Sequence, residues 1–263
     1  MFLGLRGKTA LIGAASKGLG YAIARELAVE GATIVICART KEPLKEARDR
    51  LATETGAKVY AISADLSKYE DVKRVATTSL EKLGRVDILF NNNGGPPAGP
   101  FETHDAATWQ EAFDQTLRSA VEMSRAVLPG MKERHWGRII NVTSMAAKQP
   151  VDNLVLSNSL RAAVHGFART LANEVAEFGI TVNNIMPGYT RTERVESLAA
   201  ATAKRDNTDA ATVLTRFEKD VPMRRLGEPE EFAALAAFLA SERASYITAQ
   251  SIAVDGGWIR GLM

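Results

Sequence analysis

The sequence predicts an α/β fold in which one doubly wound, seven-stranded parallel sheet lies between two helical layers. Seven short apolar runs rich in β-branched residues are separated by segments with helical signals. One strand and its helix take about 25 to 30 residues, which is typical of a βαβ repeat with right-handed crossovers. No linker or low-complexity tract divides the chain, so we expect a single domain over residues 1–263.

The seven predicted strands are apolar along much of their length and do not alternate strictly. This pattern is typical of strands that are covered on both faces. The predicted strands span residues 9–12, 33–37, 59–62, 88–90, 138–142, 180–185 and 251–254.

Helix signals lie between these runs. In residues 21–30, Ile23 and Leu27 are four positions apart and Gly31 ends the pattern. Pro43 stands at an N1-like position after Thr40, where proline is favoured. The spacing of Ser67 and Glu70 predicts a capping box. Pro229 opens a helix over residues 230–240.

Residues 190–220 interrupt this alternation with two helix-prone segments, 195–204 and 210–219, between the sixth and seventh strands. Ligands of open α/β sheets bind beyond the carboxyl ends of the strands. We therefore interpret the insertion as a helical substrate lid. The alternative is a surface excursion without a gating role.

Composition excludes several classes of protein. The 33 basic and 31 acidic residues leave a net charge of +2, so there is no basic field for nucleic acid. The apolar runs reach about half of the ~20 residues of a membrane span, and no secretory signal is visible. The single cysteine, Cys37, suits a reducing compartment, and we expect a cytoplasmic protein. Three scattered histidines predict no metal site.

A glycine-rich turn follows the first predicted strand and precedes the first helix. Small residues there let the backbone approach a pyrophosphate, whose charge then meets the helix N-terminus. Glycine in such a turn can also serve the backbone conformation alone. The βαβ context favours a dinucleotide site. The predicted cofactor contacts in this turn are Gly13, Ser16, Lys17, Gly18, Leu19 and Gly20.

The second strand ends at Arg39, and no acid follows before Glu42. An acid at this point would bind the ribose 2′-hydroxyl of NAD, whereas arginine suits a 2′-phosphate. Lys17 adds a second positive charge. The pair favours NADP(H) as the cofactor. The alternative is that both are solvated surface bases.

Several motifs, in order along the chain, resemble the short-chain dehydrogenase/reductase family, and within it the 3-oxoacyl-(acyl-carrier-protein) reductase branch. They lie at residues 86–94, 137–144, 187–192, 225–231 and 254–257. The resemblance covers essentially the whole chain. It implies a seven-stranded Rossmann sheet, NAD(P)-dependent carbonyl or alcohol chemistry and a homotetramer or homodimer.

The resemblance also implies further cofactor contacts. Asp65 stands where the family contacts adenine, and Asn91 stands where it lines the ribose. The turn with Pro187 and Gly188 corresponds to the one that faces the nicotinamide. The full set that we expect beyond the glycine turn is Asp65, Leu66, Asn91, Gly94, Pro187, Gly188, Thr190 and Thr192.

The departures from the family concern the active site. Family enzymes use Asn, Ser, Tyr and Lys. Here Ser144 matches the serine, but Ser157 stands at the tyrosine position and Arg161 at the lysine position. Thr116 stands at the asparagine position, and Asn93 replaces an alanine in the segment after the fourth strand.

These substitutions remove the usual proton donor, because a serine hydroxyl is a far weaker acid than a phenol. Ser144 and Ser157 are predicted to hydrogen-bond the developing oxyanion, and Arg161 to hold ribose hydroxyls, with water or another group supplying the proton. Tyr189 is a hypothetical substitute acid; the alternative is that it packs the pocket or lid. His165 is interpreted as structural, and Lys148 and Asn153 as surface residues.

Two functions follow from this pattern. The first is an NADP(H)-dependent oxidoreductase that acts on a carbonyl or secondary alcohol, with 3-oxoacyl compounds included, through an atypical active site. The second is a catalytically inactive NADP(H)-binding protein that acts as a sensor or partner subunit. The polar, charge-preserving replacements at residues 157 and 161 favour the enzyme.

Overall fold

A computed structural model describes residues 2–262 and forms one parallel sheet in the order β3-β2-β1-β4-β5-β6-β7. This confirms the predicted doubly wound α/β fold. The strands are β1 (Thr9–Ile12), β2 (Thr33–Ala38), β3 (Val59–Ser63), β4 (Ile88–Asn91), β5 (Gly137–Val142), β6 (Ile180–Pro187) and β7 (Ser251–Val254).

Helices cover both faces of the sheet. They are α1 (Gly18–Val29), α2 (Lys41–Thr55), α3 (Tyr69–Leu83), α4 (Ala106–Phe113), α5 (Ser119–Glu133), α6 (Val155–Val175), α7 (Glu193–Asp206), α8 (Ala210–Asp220) and α9 (Pro229–Ala240). No helix within residues 2–262 is both long and apolar enough to cross a lipid bilayer.

The core forms two layers because successive strand residues point to opposite faces of the sheet. Ile12 packs with α1, α2 and α9, whereas its neighbour Leu11 packs with α3, α5 and α6. Both residues are fully buried. The near-continuous apolar character of the predicted strands follows from this burial on both sides.

Three helix starts differ from the sequence predictions. Helix α1 begins three residues early, at Gly18, because the glycine turn runs directly into it. Pro43 is the third residue of α2, not the first. The predicted capping box at Ser67 does not form: α3 begins at Tyr69, and the Ser67 hydroxyl donates to Asp65 Oδ1 at 2.9 Å. This local bond competes with capping.

The order of the strands reverses between β1 and β4, which are hydrogen-bonded neighbours. A crevice at the carboxyl ends of the strands is expected at such a switch point. Helices α7 and α8, close to the two predicted helical segments, form a separate apolar cluster with Tyr189, Val195 and Phe217. This cluster stands over the carboxyl end of β6, where Pro187 is the last residue.

Candidate active site

A cleft of about 680 Å³ lies at the carboxyl ends of the strands, between the glycine turn, α6 and the segment after β6. Most residues that the sequence singles out line this one cleft. They are Ser16, Lys17, Gly18, Leu19, Gly20, Arg39, Asp65, Leu66, Gly94, Ser144, Ser157, Arg161, Pro187, Gly188, Thr190 and Thr192.

Two glycines of this turn, Gly13 and Gly20, have no room for a side chain. A Cβ at Gly20 would stand 2.4 Å from the main-chain oxygen of Ala14, and one at Gly13 would stand 2.2 Å from that of Asn92. The Asn92 amide holds the turn by donating to the Gly13 oxygen at 2.9 Å. The turn and the N-terminus of α1 thus form a bare-backbone cradle that fits a pyrophosphate.

Two predicted cofactor contacts lie outside the cleft wall. Gly13 is held behind the turn, where its N–H donates to Phe90 O at 3.1 Å. The Asn91 amide donates to Asn141 Oδ1 at 2.9 Å. The same pattern continues from Asn141 to Asn184 and from Asn184 to Ser251, so Asn91 belongs to a polar ladder across four strands. Its side chain is therefore occupied within the sheet.

The end of the cleft beside β2 is basic. Arg39 is exposed and has no acidic partner within 4 Å among the described residues. Lys17, in contrast, pairs with the Glu193 carboxylate at the start of α7. Arg50, which the sequence analysis missed, also lines the cleft, and its guanidinium lies 3.9 Å from the ring centroid of Tyr21. No sequence motif marks a basic residue at this position of α2 as a ligand-binding residue.

Ser144 and Ser157 come from different elements and line the same cleft. Ser144 follows β5, and its Oγ accepts a hydrogen bond from the Ala146 N–H at 3.1 Å. Ser157 lies in the first turn of α6 and is buried. Both hydroxyl protons are free to turn towards a ligand oxygen, because a hydroxyl rotates to suit its acceptor.

Arg161 lies one helical turn after Ser157 and is only 7% exposed. Its Nη1 donates to the main-chain oxygen of Val142 at 2.8 Å, and no carboxylate lies within 4 Å in the described chain. Burial lowers its pKa to about 10, with a smaller effect of the Arg194 charge. The guanidinium stays protonated at neutral pH, and its remaining donors face a ligand site.

The position of the family asparagine lies in a one-turn π-helix, Asp114–Arg118. Thr116 is buried there, and its hydroxyl has no hydrogen-bond partner. The neighbouring carbonyl of Gln115 accepts from the Asn93 amide at 2.6 Å, while Asn93 Oδ1 is itself unpartnered. Asn93 and Gln115 both line the cleft, so this departure from the family adds an amide to its wall.

Tyr189 lies in an aromatic cluster with Phe217 of α8 and Trp258. Its ring stacks on Phe217 with 4.3 Å between centroids and contacts the Trp258 ring edge-on at 6.1 Å. Burial, together with the nearby Asp220 charge, raises its pKa to about 12. A phenol with a raised pKa is a poorer proton donor, so these contacts favour the packing role over the acid role.

Three further polar residues from the sequence analysis, His165, Lys148 and Asn153, do not line the cleft. His165 Nε2 is 2.9 Å from the hydroxyl of Thr143, the residue that precedes Ser144. Burial, together with nearby positive charges, lowers the pKa of His165 to about 4. Lys148 is exposed, and Asn153 takes a left-handed backbone conformation in a loop. Within residues 2–262 no cluster of His, Cys, Asp and Glu could hold a metal ion.

The reversal of strand order and the backbone cradle beneath it define a dinucleotide-binding protein. The family model described as Enoyl-(Acyl carrier protein) reductase matches residues 13–259. Oxidoreductase UcpA of Escherichia coli (strain K12) is 37% identical over 254 residues, covering 96% of this chain and 95% of that protein. The FabG 3-oxoacyl-[acyl-carrier-protein] reductase of Vibrio cholerae is 33% identical, covering 97% and 98%.

A solved structure of L-sorbose reductase from Gluconobacter frateurii, complexed with NADPH and L-sorbose, superposes with a TM-score of 0.94. It is 35% identical, and all of both chains is covered. This chain belongs to the short-chain dehydrogenase/reductase family, as its motifs predict.

Proposed function

We propose that this chain is an NADP(H)-dependent oxidoreductase that interconverts a carbonyl compound and a secondary alcohol. The observation that carries the proposal is that Ser144, Ser157 and a buried Arg161 all line the dinucleotide cleft. The NADPH of the L-sorbose reductase complex and the 3-oxoacyl reductase activity named for the Vibrio protein support it.

The residues fit NADP(H). The cradle of Gly18 and Gly20 would take the pyrophosphate, and Arg39 would bind the 2′-phosphate. Lys17 would bind the same phosphate as Arg39 if the phosphate displaces the Glu193 carboxylate from the Lys17 ammonium group. Asp65 would contact adenine. When bound, the nicotinamide supplies or accepts the hydride.

In the reductive direction, hydride reaches the carbonyl carbon and the electron pair of the C=O bond moves to oxygen. The hydroxyls of Ser144 and Ser157 donate hydrogen bonds to that oxygen, and the Arg161 charge stabilises its negative charge. A water molecule gives the proton and leaves as hydroxide. Arg161 does not give the proton, because a guanidinium keeps its charge near neutral pH.

Three further expectations rest on this function. Helices α7 and α8 act as a substrate lid, since α7 lines the cleft after β6 and α8 packs against α7. A homotetramer or homodimer and a cytoplasmic location stay predictions.

The test measures NADPH oxidation against a panel of ketones and 3-oxo esters, with NADPH binding titrated in parallel. We expect turnover of at least one compound, and a large loss in the Ser144→Ala and Ser157→Ala variants, whose fold is checked by circular dichroism. Tight NADPH binding without turnover of any compound would favour the inactive sensor or partner subunit. Absence of NADPH binding would contradict both functions.

A further inference from the structure

Arg194 differs from the other arginines of the lid. Residues 190–220 contain four arginines, and three of them pair with acidic side chains: Arg191 with Glu228 at 3.1 Å, Arg205 with Asp206 and Arg216 with Asp206 at 2.9 Å. Arg194 has no carboxylate within 4 Å in the described part of the chain. Its charge is therefore available to an anion from outside the protein.

The guanidinium of Arg194 is held in place. Its Nη2 donates to the Pro96 main-chain oxygen at 2.9 Å, and it lies against Gly95, where a Cβ would come within 2.7 Å of Nη2. This glycine opens the space that the guanidinium occupies. Arg194 as a whole is exposed, but partial desolvation of its guanidinium against the protein lowers its pKa.

Arg194 and Arg161 line the same cleft, and the charge of Arg194 contributes to the lowered pKa of Arg161. Two cations that share a cleft and lack acidic partners repel each other, and this repulsion is relieved by a bound anion. Of these two arginines, only Arg161 is more than nine-tenths buried. It uses one of its five N–H donors on a protein acceptor, the Val142 main-chain oxygen.

We propose that Arg194 and Arg161 bind a carboxylate of the substrate, so that the substrate is an oxo acid or hydroxy acid. This inference rests on the proposed function and adds the class of its substrate. The planar fork of an arginine matches a carboxylate. The remaining wall contains Met145, Val151, Leu154 and Leu198, which suits an apolar substrate body. Ser144 and Ser157 would then contact the carbonyl oxygen of the same molecule.

The experiment compares oxo acids with their own esters. NADPH oxidation is measured with acetoacetate against methyl acetoacetate and with 2-oxo-4-phenylbutanoate against its ethyl ester, in wild-type protein and in Arg194→Met. We expect at least one acid to exceed its ester in kcat/KM. Arg194→Met should lower kcat/KM for that acid by about 30-fold and leave the ester within about 2-fold. Arg205→Gln, which removes an exposed arginine of the same helix, is the matched control and should behave as wild type.

Two results would overturn the carboxylate site. One is that acids and esters react alike in every variant. The other is that Arg194→Met weakens NADPH binding and slows acids and esters equally, which would make Arg194 a contact of the cofactor diphosphate.

A binding measurement distinguishes failure of the carboxylate site from failure of the proposed function. The two acids and their esters are titrated calorimetrically into the complex with NADP⁺. If no compound turns over, the proposed function fails, but binding of an acid without its ester, lost in Arg194→Met, still supports the carboxylate site. If neither binds nor reacts, the carboxylate site is contradicted.

Discussion

Tyr189 stacks on Phe217, with ring centroids 4.3 Å apart and an angle of 7° between the planes. The hydroxyl is not required for this stacking. We expect Tyr189→Phe to keep kcat and its pH profile within about 2-fold of wild type, because phenylalanine retains the ring contact. Steady-state rates between pH 6 and 9 measure this. A loss of turnover by two orders of magnitude, with the fold intact, would instead make Tyr189 the proton donor.

Phe217→Ala is the companion variant, since Phe217 is largely buried and contacts Tyr189 from α8. Truncation of a buried phenylalanine costs about 3 to 5 kcal/mol. We expect a lower melting temperature together with a raised KM, because α8 packs the lid on the aromatic cluster. Unchanged stability would show that the stack does not hold the lid.

Replacement of Arg161 by methionine should separate stability from activity. The variant removes a buried cation without an acidic partner, so we expect the free energy of unfolding to rise by about 1 kcal/mol. The loss of its charge near the oxyanion should lower kcat/KM by about 100-fold. Urea unfolding and NADPH oxidation measure the two effects. Arg169→Met, a change at an exposed position of the same helix, is the control and should keep wild-type activity.

Arg39 should decide the choice between NADPH and NADH. A hydrogen bond to a charged group contributes about 1.5 to 3 kcal/mol, so Arg39→Ala should weaken NADPH binding by about 10- to 100-fold. NADH binding should not change, because NADH has no 2′-phosphate. Fluorescence titrations of both cofactors measure this. Arg48→Ala, which removes an arginine paired with Asp49, serves as control; an equal loss for NADPH and NADH in Arg39→Ala would contradict the assignment.

Ala14 takes a positive φ of 44°, in the region that favours glycine. We expect Ala14→Gly to raise the free energy of unfolding by about 0.5 to 1 kcal/mol, since the Cβ strain is lost. The neighbouring Ala15 is fully buried, and its φ is not positive. Ala15→Gly should therefore destabilise by a similar amount, and equal signs in the two variants would refute the argument.

His165 should make stability depend on pH. Its pKa is lowered from 6.5 to about 4 in the folded chain, first by burial and then by Lys148 and Arg161. Between these two values the unfolded chain binds a proton that the folded chain does not, so stability falls as the pH decreases through this window. The full loss is on the order of 3 kcal/mol, of which about 2 kcal/mol is reached by pH 5. Urea unfolding at pH 7.5, 6 and 5 measures it.

His165→Gln should flatten this dependence, because the side chain no longer titrates. His135→Asn is the control: His135 is exposed and takes a positive φ that asparagine tolerates. The control should keep the wild-type slope. A wild-type slope in His165→Gln would assign the pH dependence to other groups.

The sequence determined the elements that depend on local patterns. All seven strands lie where apolar runs predict them, because burial on both faces requires continuous apolar residues. Arg39 at the end of β2 and the glycine turn before α1 are also local features, and both line the cleft. Helix starts were less accurate: Ser67 bonds to Asp65 and does not cap α3, a choice between two local hydrogen bonds.

Tertiary structure decided which distant side chains meet. Asn91 is a predicted cofactor contact, and its amide donates to Asn141 on the neighbouring strand, a pairing that spacing along the chain does not predict. The packing of Tyr189 depends on Phe217, which the chain brings back through α8. Arg161 and Arg194 line one cleft because the fold brings α6 and α7 to the same end of the sheet. Spacing along a chain predicts contacts within one helix or strand, whereas contacts between elements are set by the packing of the whole sheet.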